Sequence, residues 1–442
     1  MSISAVRGHL VWFAEDPFVV GSRALRHETD GIVVTVDGHI TKVGPAAKIL
    51  PLLPADCRVD HYPGCLISPG FIDTHVHYAQ TGIVGAHGAA EDATNGAQLL
   101  DWLNRYAFPA EAEMRDRAKA DVMARAFCDE LIRNGTTTAL VFCTVFPESV
   151  DALFEEAARR HFRLIAGKVL MDRNAPAELL DTPRSSYDQS KALIRKWHGR
   201  GRASYAITPR FAPSSTPEQL ELAGALWAEH PDVYVHSHLS ENAAECAWVR
   251  ELFPDHERYI DVYDAFGLTG RRAVYAHGVH LEEEDFALCH HTGTALAHCP
   301  TSNLFLGSGL FNLGMATRAD RRVHVGLGTD IGAGTSFSML ATLNEAYKVA
   351  QLTGSALDGV RGWYLATRGA AEALDLAGTI GSLEPGCEAD MIVIDPAATP
   401  LLKLRGERCQ SIEELLFVLM TLGDDRAVRA TYVAGVTTSS RQ

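Results

Sequence analysis

The stretch Pro69-Gly70-Phe71-Ile72-Asp73-Thr74-His75-Val76-His77 sets the reading of the whole chain. Phe71 and Ile72 open an apolar, strand-like run, and His75 and His77 stand two positions apart at its end. Side chains alternate faces along a strand, so the two imidazoles project the same way and converge on one point, as a metal ion requires. By itself His-x-His is a short motif that solvated or hydrogen-bonded histidines also produce. What the rest of the chain brings to the pair decides its meaning.

Downstream, short β-rich runs alternate with helical patterns. The runs are 70–75, 136–142, 162–169, 204–209, 233–238, 273–277, 294–298 and 323–330, with helical segments such as 150–161 and 217–230 between them. Eight such units predict an α/β fold, a closed parallel (β/α)8 TIM barrel over residues 67–377. Residues 1–66 and 378–442 read instead as short strands and turns, and Asp37-Gly38 between two β-rich runs is a strong hairpin signal. Two such flanks imply one small β-sandwich domain assembled from both termini. Between the first two barrel strands lies a long connection holding an amphipathic segment at 99–106, before Phe108-Pro109. It is expected to cover the barrel mouth, with the Gly- and Ala-rich stretch 87–96 as its mobile part.

Composition narrows the partners. A formal charge of −15 on 442 residues argues against nucleic acid or an anionic membrane. No apolar run approaches the ~20 residues of a membrane span, and the N-terminus lacks the features of a secretory signal. Nine scattered cysteines without a Cys-x-x-Cys pair suit a reducing compartment, so a cytoplasmic location is expected.

Histidine or carboxylate recurs at the C-terminal ends of the expected strands: His75 and His77 on the first, His238 on the fifth, His277 on the sixth, Asp330 on the eighth. In a parallel barrel those ends share one face, where active sites are built. Three imidazoles and a carboxylate suit zinc or ferrous iron, with a position left for water. His236 would face the same side one layer lower and is expected to support a ligand, while His298 is expected to orient loops. Glu241, three residues after His238, stands close enough to take a proton from an attacking water and pass it to a leaving group.

These segments resemble the amidohydrolase superfamily and, within it, the aminohydrolases. The match is carried by 69–77, His238-Leu239-Ser240-Glu241, Ala276-His277-Gly278, 298–303 and Gly328-Thr329-Asp330. Finer motifs are similar to those of guanine deaminases: Trp102 within 99–103, Tyr106-Ala107-Phe108-Pro109-Ala110-Glu111, 167–172, Thr208-Pro209-Arg210-Phe211 and 422–426. The resemblance implies a hydrolase of C–N bonds in cyclic amidines, converting guanine to xanthine and ammonia, and a homodimer. It implies that His75, His77, His238 and Asp330 hold one divalent metal ion, zinc or alternatively iron. It further implies catalytic roles for Glu241, His277 and Asp330, and a substrate pocket of Gln80, Trp102, Arg210 and Phe211 beside Glu241 and His277. The chemistry agrees: Arg210 offers a rigid donor fork to a carbonyl, Gln80 both donates and accepts, and Phe211 gives a flat face to a flat base. Arg210 also stands where binuclear amidohydrolases often carry a bridging lysine, which favours one metal. The alternatives are an aminohydrolase of another heterocycle (8-oxoguanine, another purine, a triazine) and a non-catalytic binding or assembly member of the fold. The complete ligand set speaks against the last.

Overall fold

Four strands open the chain: β1 (Ile3–Phe13), β2 (Leu25–Val36), β3 (His39–Pro45) and β4 (Arg58–Pro69). Val6, Leu10 and Val33 pack on one face of this sheet, and Ala5, Ile32 and Val34 on the other, as strand alternation dictates. Asp37 and Gly38, with φ of 48° and 82°, turn β2 into β3 and set Val36 opposite His39. Two consecutive positive φ values match the twist of the flanking strands, which is why Asp-Gly suits this hairpin. The computed structural model describes residues 3–86 and 97–440, so the glycine-rich stretch 87–96 expected to be mobile lies outside the described residues.

The eight strands expected of a barrel all form: β5 (Phe71–His77), β6 (Thr136–Phe142), β7 (Arg163–Gly167), then, after a two-residue β8 (Val169–Leu170), β9 (Ala203–Pro209), β10 (Tyr234–Leu239), β11 (Ala273–His277), β12 (Ala295–His298) and β13 (Val325–Leu327). Each pairs in parallel with its neighbour in the order β13-β12-β11-β10-β9-β7-β6-β5, and β8 adds to β9. Just beyond β13 the ring closes, where the Asp330 N–H donates to the His75 carbonyl at 2.9 Å and the His77 N–H to the Ile331 carbonyl at 3.0 Å. The strands are buried on both faces, with apolar runs such as Ala139-Leu140-Val141-Phe142, because helices cover them outside. The helix Arg117–Arg133, for example, turns Ala120, Ala124, Phe127 and Leu131 inward at helical spacing.

Both termini meet in one sheet. β14 (Met391–Ile394), β15 (Val428–Val433) and β16 (Val436–Ser440) complete a mixed seven-stranded order β16-β15-β14-β4-β1-β2-β3. At Gly70 the chain passes from this sheet into the barrel. A Cβ there would lie 2.1 Å from Thr137 Oγ1 and 2.8 Å from Thr137 Cβ, so only glycine fits the crossing. Two guanidinium groups tie the far end of the barrel to the same sheet: Arg163 and Arg202 both donate to Glu388, and Arg202 also to Asp390.

The flanks depart from the sequence reading, the first of them through the short helices Pro17–Val20 and Ala46–Ile49. The C-terminal flank, read as strands and turns, also holds the helices Pro400–Gly406 and Ile412–Leu422. Thr399 and Ser411 cap them, accepting from the N–H groups of Leu402 and Glu414 at 3.2 Å each. Ile412, Leu416 and Leu419 bury one face at a helical period that the apolar run 415–420 concealed.

Candidate active site

His75 and His77 leave β5 on the same face, and the ends of β10, β11 and β13 bring His238, His277 and Asp330 to them. His77 Nε2 and His238 Nε2 are 3.2 Å apart, and Asp330 Oδ1 lies 3.2 Å from His75 Nε2 and 3.4 Å from His77 Nε2. His277 Nε2 stands 3.8 Å from Asp330 Oδ2 and 3.5 Å from Glu241 Oε2. His277 and Asp330 have φ of 76° and 49°. A left-handed backbone at non-glycine residues is strained and persists where the surroundings impose it, most often at sites of function.

The residues fit a bound cation. Metal–nitrogen bonds of about 2.0–2.1 Å at tetrahedral angles would set donor atoms about 3.3 Å apart, close to the spacings here. His238 Nδ1 donates to the Arg210 carbonyl at 2.6 Å, which turns a bare Nε2 lone pair toward the cluster. His75 Nδ1 is 2.8 Å from His236 Nε2, so His236 supports a neighbouring ring from one layer down. Among the described residues, His75 Nε2 and His277 Nε2 are buried and make no hydrogen bond, and His277 lines the cavity. Burial lowers His77 to about 4, and holds His75 and His238 below the usual histidine range as well. Burial alone would raise Asp330, but His75 and His77 beside it keep it well below the usual carboxylate range. Neutral imidazoles around an ionised carboxylate are what a divalent ion needs.

A profile of the amidohydrolase family matches residues 66–438. The chain belongs to the amidohydrolase family. It is 52% identical over 437 residues to the guanine deaminase of Escherichia coli strain K12, across 98% of this chain and 97% of that protein. Among solved structures, E. coli guanine deaminase superposes with a TM-score of 0.94 at 49% identity, covering 100% of both chains. Guanine deaminase from C. acetobutylicum, solved with guanine bound in its active site, gives a TM-score of 0.86 at 29% identity and covers 98% of this chain and 99% of that one.

In this amidohydrolase the cluster opens into a pocket lined by Gln80, Trp102, Arg210, Phe211, Glu241 and His277 among others. All six expected substrate-side residues are therefore brought together. Burial, reinforced by Asp330, raises Glu241 to about 8, so its carboxyl carries a proton near neutrality. Its backbone is pinned by Glu245, whose Oε2 accepts the N–H groups of Glu241 and Asn242 at 3.0 and 3.1 Å. Trp102 ends the helix Ala97–Trp102 and donates from Nε1 to the Ala86 carbonyl at 2.9 Å. His298 stays out of the metal cluster, stacked at 4.7 Å on Phe311.

Three buried polar residues beside this amidohydrolase centre had no role from sequence. Asp73 accepts the Thr329 N–H and hydroxyl and the His75 N–H, locking the strand that carries His75 and His77 to the segment that carries Asp330. Asn303 Oδ1 lies 2.9 Å from His277 Nδ1, which therefore carries a proton and leaves Nε2 toward the cavity. Glu111 meets Arg210 and Gln80. All three sit inside motifs quoted from the sequence, and Asp73, a carboxylate within an apolar strand, carried the clearest signal.

Proposed function

We infer that the protein is a guanine deaminase, hydrolysing guanine to xanthine and ammonia at the barrel mouth. The observation that carries this reading is that members of the histidine–aspartate cluster, Glu241 and the Arg210–Gln80 donor pair line one pocket. His75, His77, His238 and Asp330 would hold one divalent ion, with zinc favoured by the nitrogen-rich set and iron compatible with it. The chemistry such an ion supplies is Lewis acidity, which draws the pKa of a coordinated water toward about 7.

The chain's own groups do the rest. Arg210 and Gln80 donate to the purine carbonyl, Phe211 and Trp102 bound the ring, and the amino-bearing carbon is thereby set against Asp330, Glu241 and His277. Asp330 takes the first proton of the attacking water on the oxygen facing His277. Glu241, protonated at the start, gives its proton to the ring nitrogen beside the reacting carbon, takes the proton of the added hydroxyl and passes it to the departing amine; the proton held on Asp330 then returns to Glu241, so that ammonia leaves as a neutral molecule and both carboxyl groups are restored. His277 Nε2, 3.5 Å from Glu241, contacts the oxygen that adds to the ring.

Residues 67–377 read as the catalytic unit and the two flanks as a composite domain. Cytoplasmic residence is supported by nine cysteines that are all unpaired, seven of them buried. Among the described residues no helix is long and apolar enough to cross a membrane. Association as a homodimer is supported by exposed Leu401 and Leu404 on the helix Pro400–Gly406.

The test is to mix metal-replete protein with guanine and follow xanthine and ammonia, with Glu241→Ala alongside. Turnover that disappears in the variant while its metal content stays at wild-type level supports reaction and proton carrier together. A wild-type protein that holds one metal and leaves guanine intact overturns the substrate.

A further inference from the structure

The helix Phe108–Ala112 presents Phe108 and Glu111 three positions apart, on one face, to Arg210. The guanidinium carbon lies 5.1 Å from the Phe108 ring centroid. Both Glu111 oxygens accept from Arg210 Nη1, at 2.8 and 2.7 Å, and Oε1 also accepts from Gln80 Nε2 at 2.9 Å. Gln80 Oε1 in turn accepts the Gly332 N–H at 3.2 Å. A carboxylate only accepts and a backbone N–H only donates, so the Gln80 amide is oriented from both ends. Glu111, Arg210 and Gln80 are 1%, 2% and 2% exposed. Among the described residues, the other guanidinium nitrogens of Arg210 make no hydrogen bond, and its side chain lines the pocket.

We propose that Glu111 is a positioning residue that sets specificity: one carboxylate holds Arg210 and Gln80 together so that both present N–H donors to the carbonyl of the base. Glu111 itself lies behind these two side chains and does not line the pocket. Its single negative charge balances the buried guanidinium, and its two oxygens fix the angle at which the remaining donors enter the cavity. Substrates bearing a carbonyl acceptor at that edge are selected, because a site built from oriented, buried donors rejects an analogue that leaves them unpaired. The proposal rests on guanine as the substrate.

The test compares the kcat and KM for guanine with the inhibition constant of 2-aminopurine, which keeps the amino group and lacks the 6-carbonyl. Wild type, Glu111→Gln and Glu111→Asp are measured at equal metal content. Loss of the charge in Glu111→Gln is expected to raise the guanine KM about 10- to 100-fold while kcat stays within about threefold. The inhibition constant of 2-aminopurine should move by less than about threefold, because that ligand never used the oriented donors. Glu111→Asp keeps the charge against Arg210 and so protects folding. It is too short to serve both partners and should give an intermediate KM, and it carries the comparison alone if Glu111→Gln does not fold. Equal losses for both ligands, or a fall in kcat at unchanged KM, overturn the positioning role while leaving the substrate intact. A wild type inert on guanine overturns the substrate reading and this proposal with it, a result read in the control before any variant is made.

Discussion

Replacing Glu388 by Gln tests how the terminal sheet is fastened to the barrel. Glu388 Oε2 accepts from Arg163 Nε and Arg202 Nε, each at 2.9 Å, and Arg202 also pairs with Asp390. The side chains of Arg163, Arg202 and Glu388 are only 11%, 14% and 12% exposed. Removing the carboxylate leaves two guanidinium groups short of a counter-charge in a poorly hydrated place, a change that costs about 3–5 kcal/mol when burial is complete. Residual exposure puts the expected loss at the lower end, about 3 kcal/mol. Unfolding entropy of about 2.1 cal/mol/K per residue gives about 0.9 kcal/mol/K for the whole chain, so the melting midpoint should fall by about 3 °C. Burial opposes ionisation of Glu388, and Arg163 with Arg202 more than reverses it, so its folded pKa lies below the ordinary value. A depressed carboxylate contributes stability above its unfolded pKa of about 4.3 and loses it as pH falls through the folded value. The gap between wild type and Glu388→Gln should therefore be full from pH 7 to about 5 and close below about 4. Calorimetry across that range decides it. A gap under 1 °C at pH 7, or one that persists unchanged at pH 3, would refute the charge argument and leave packing as the cause.

Three further outcomes are expected. Arg210→Ala should lower kcat/KM on guanine by about 100-fold or more with metal content unchanged, since it removes a charged donor and orphans Glu111; unaltered efficiency would end the assignment of this pocket to a purine. Chelation should abolish turnover, and zinc returned at one equivalent should restore it and raise the melting midpoint, because an ion at 100 times its Kd stabilises the folded state by about 2.7 kcal/mol. Restoration needing two equivalents would contradict a single site. Gly70→Ala should destabilise by about 1–3 kcal/mol in denaturant titration, because the added methyl must displace Thr137 where sheet and barrel meet; a neutral effect would show that Thr137 yields freely.

Sequence patterns expose what repeats locally. The barrel was legible because each strand is a short apolar run followed by a helical period, and His75 and His77 because strand alternation puts both on one face. Asp330 and His277 were legible as strand-end residues once the strands were placed. The role of Glu111 was not, since its contact with Arg210 joins positions 99 apart and depends on how a short helix lies across the barrel mouth. No periodicity encodes that placement. The helix Ile412–Leu422 was hidden for another reason: a run apolar on nearly every face carries no contrast by which a period of 3.6 could be told from a strand.

The same geography predicts that a bound metal and the fold would depend on each other. The outer candidate ligands come from the first and the last barrel strands, and Asp73 reaches Thr329 across 256 positions to hold those strands edge to edge. Asp330 is drawn in by its own N–H on the His75 carbonyl, so the bond that closes the barrel also delivers the carboxylate to the imidazoles. Until that seam forms, no partial arrangement of β5 to β12 contains the complete donor set. A cation that binds only the closed ring must stabilise the ring by its full binding free energy. It thereby offsets the cost of burying neutral histidines and holding His277 and Asp330 in left-handed backbone. Loss of a ligand such as His238 should accordingly show twice, as lost turnover and as a melting midpoint that no longer rises with zinc. A variant in which turnover vanished while the zinc-dependent rise persisted would separate the two and place the stabilising ion elsewhere.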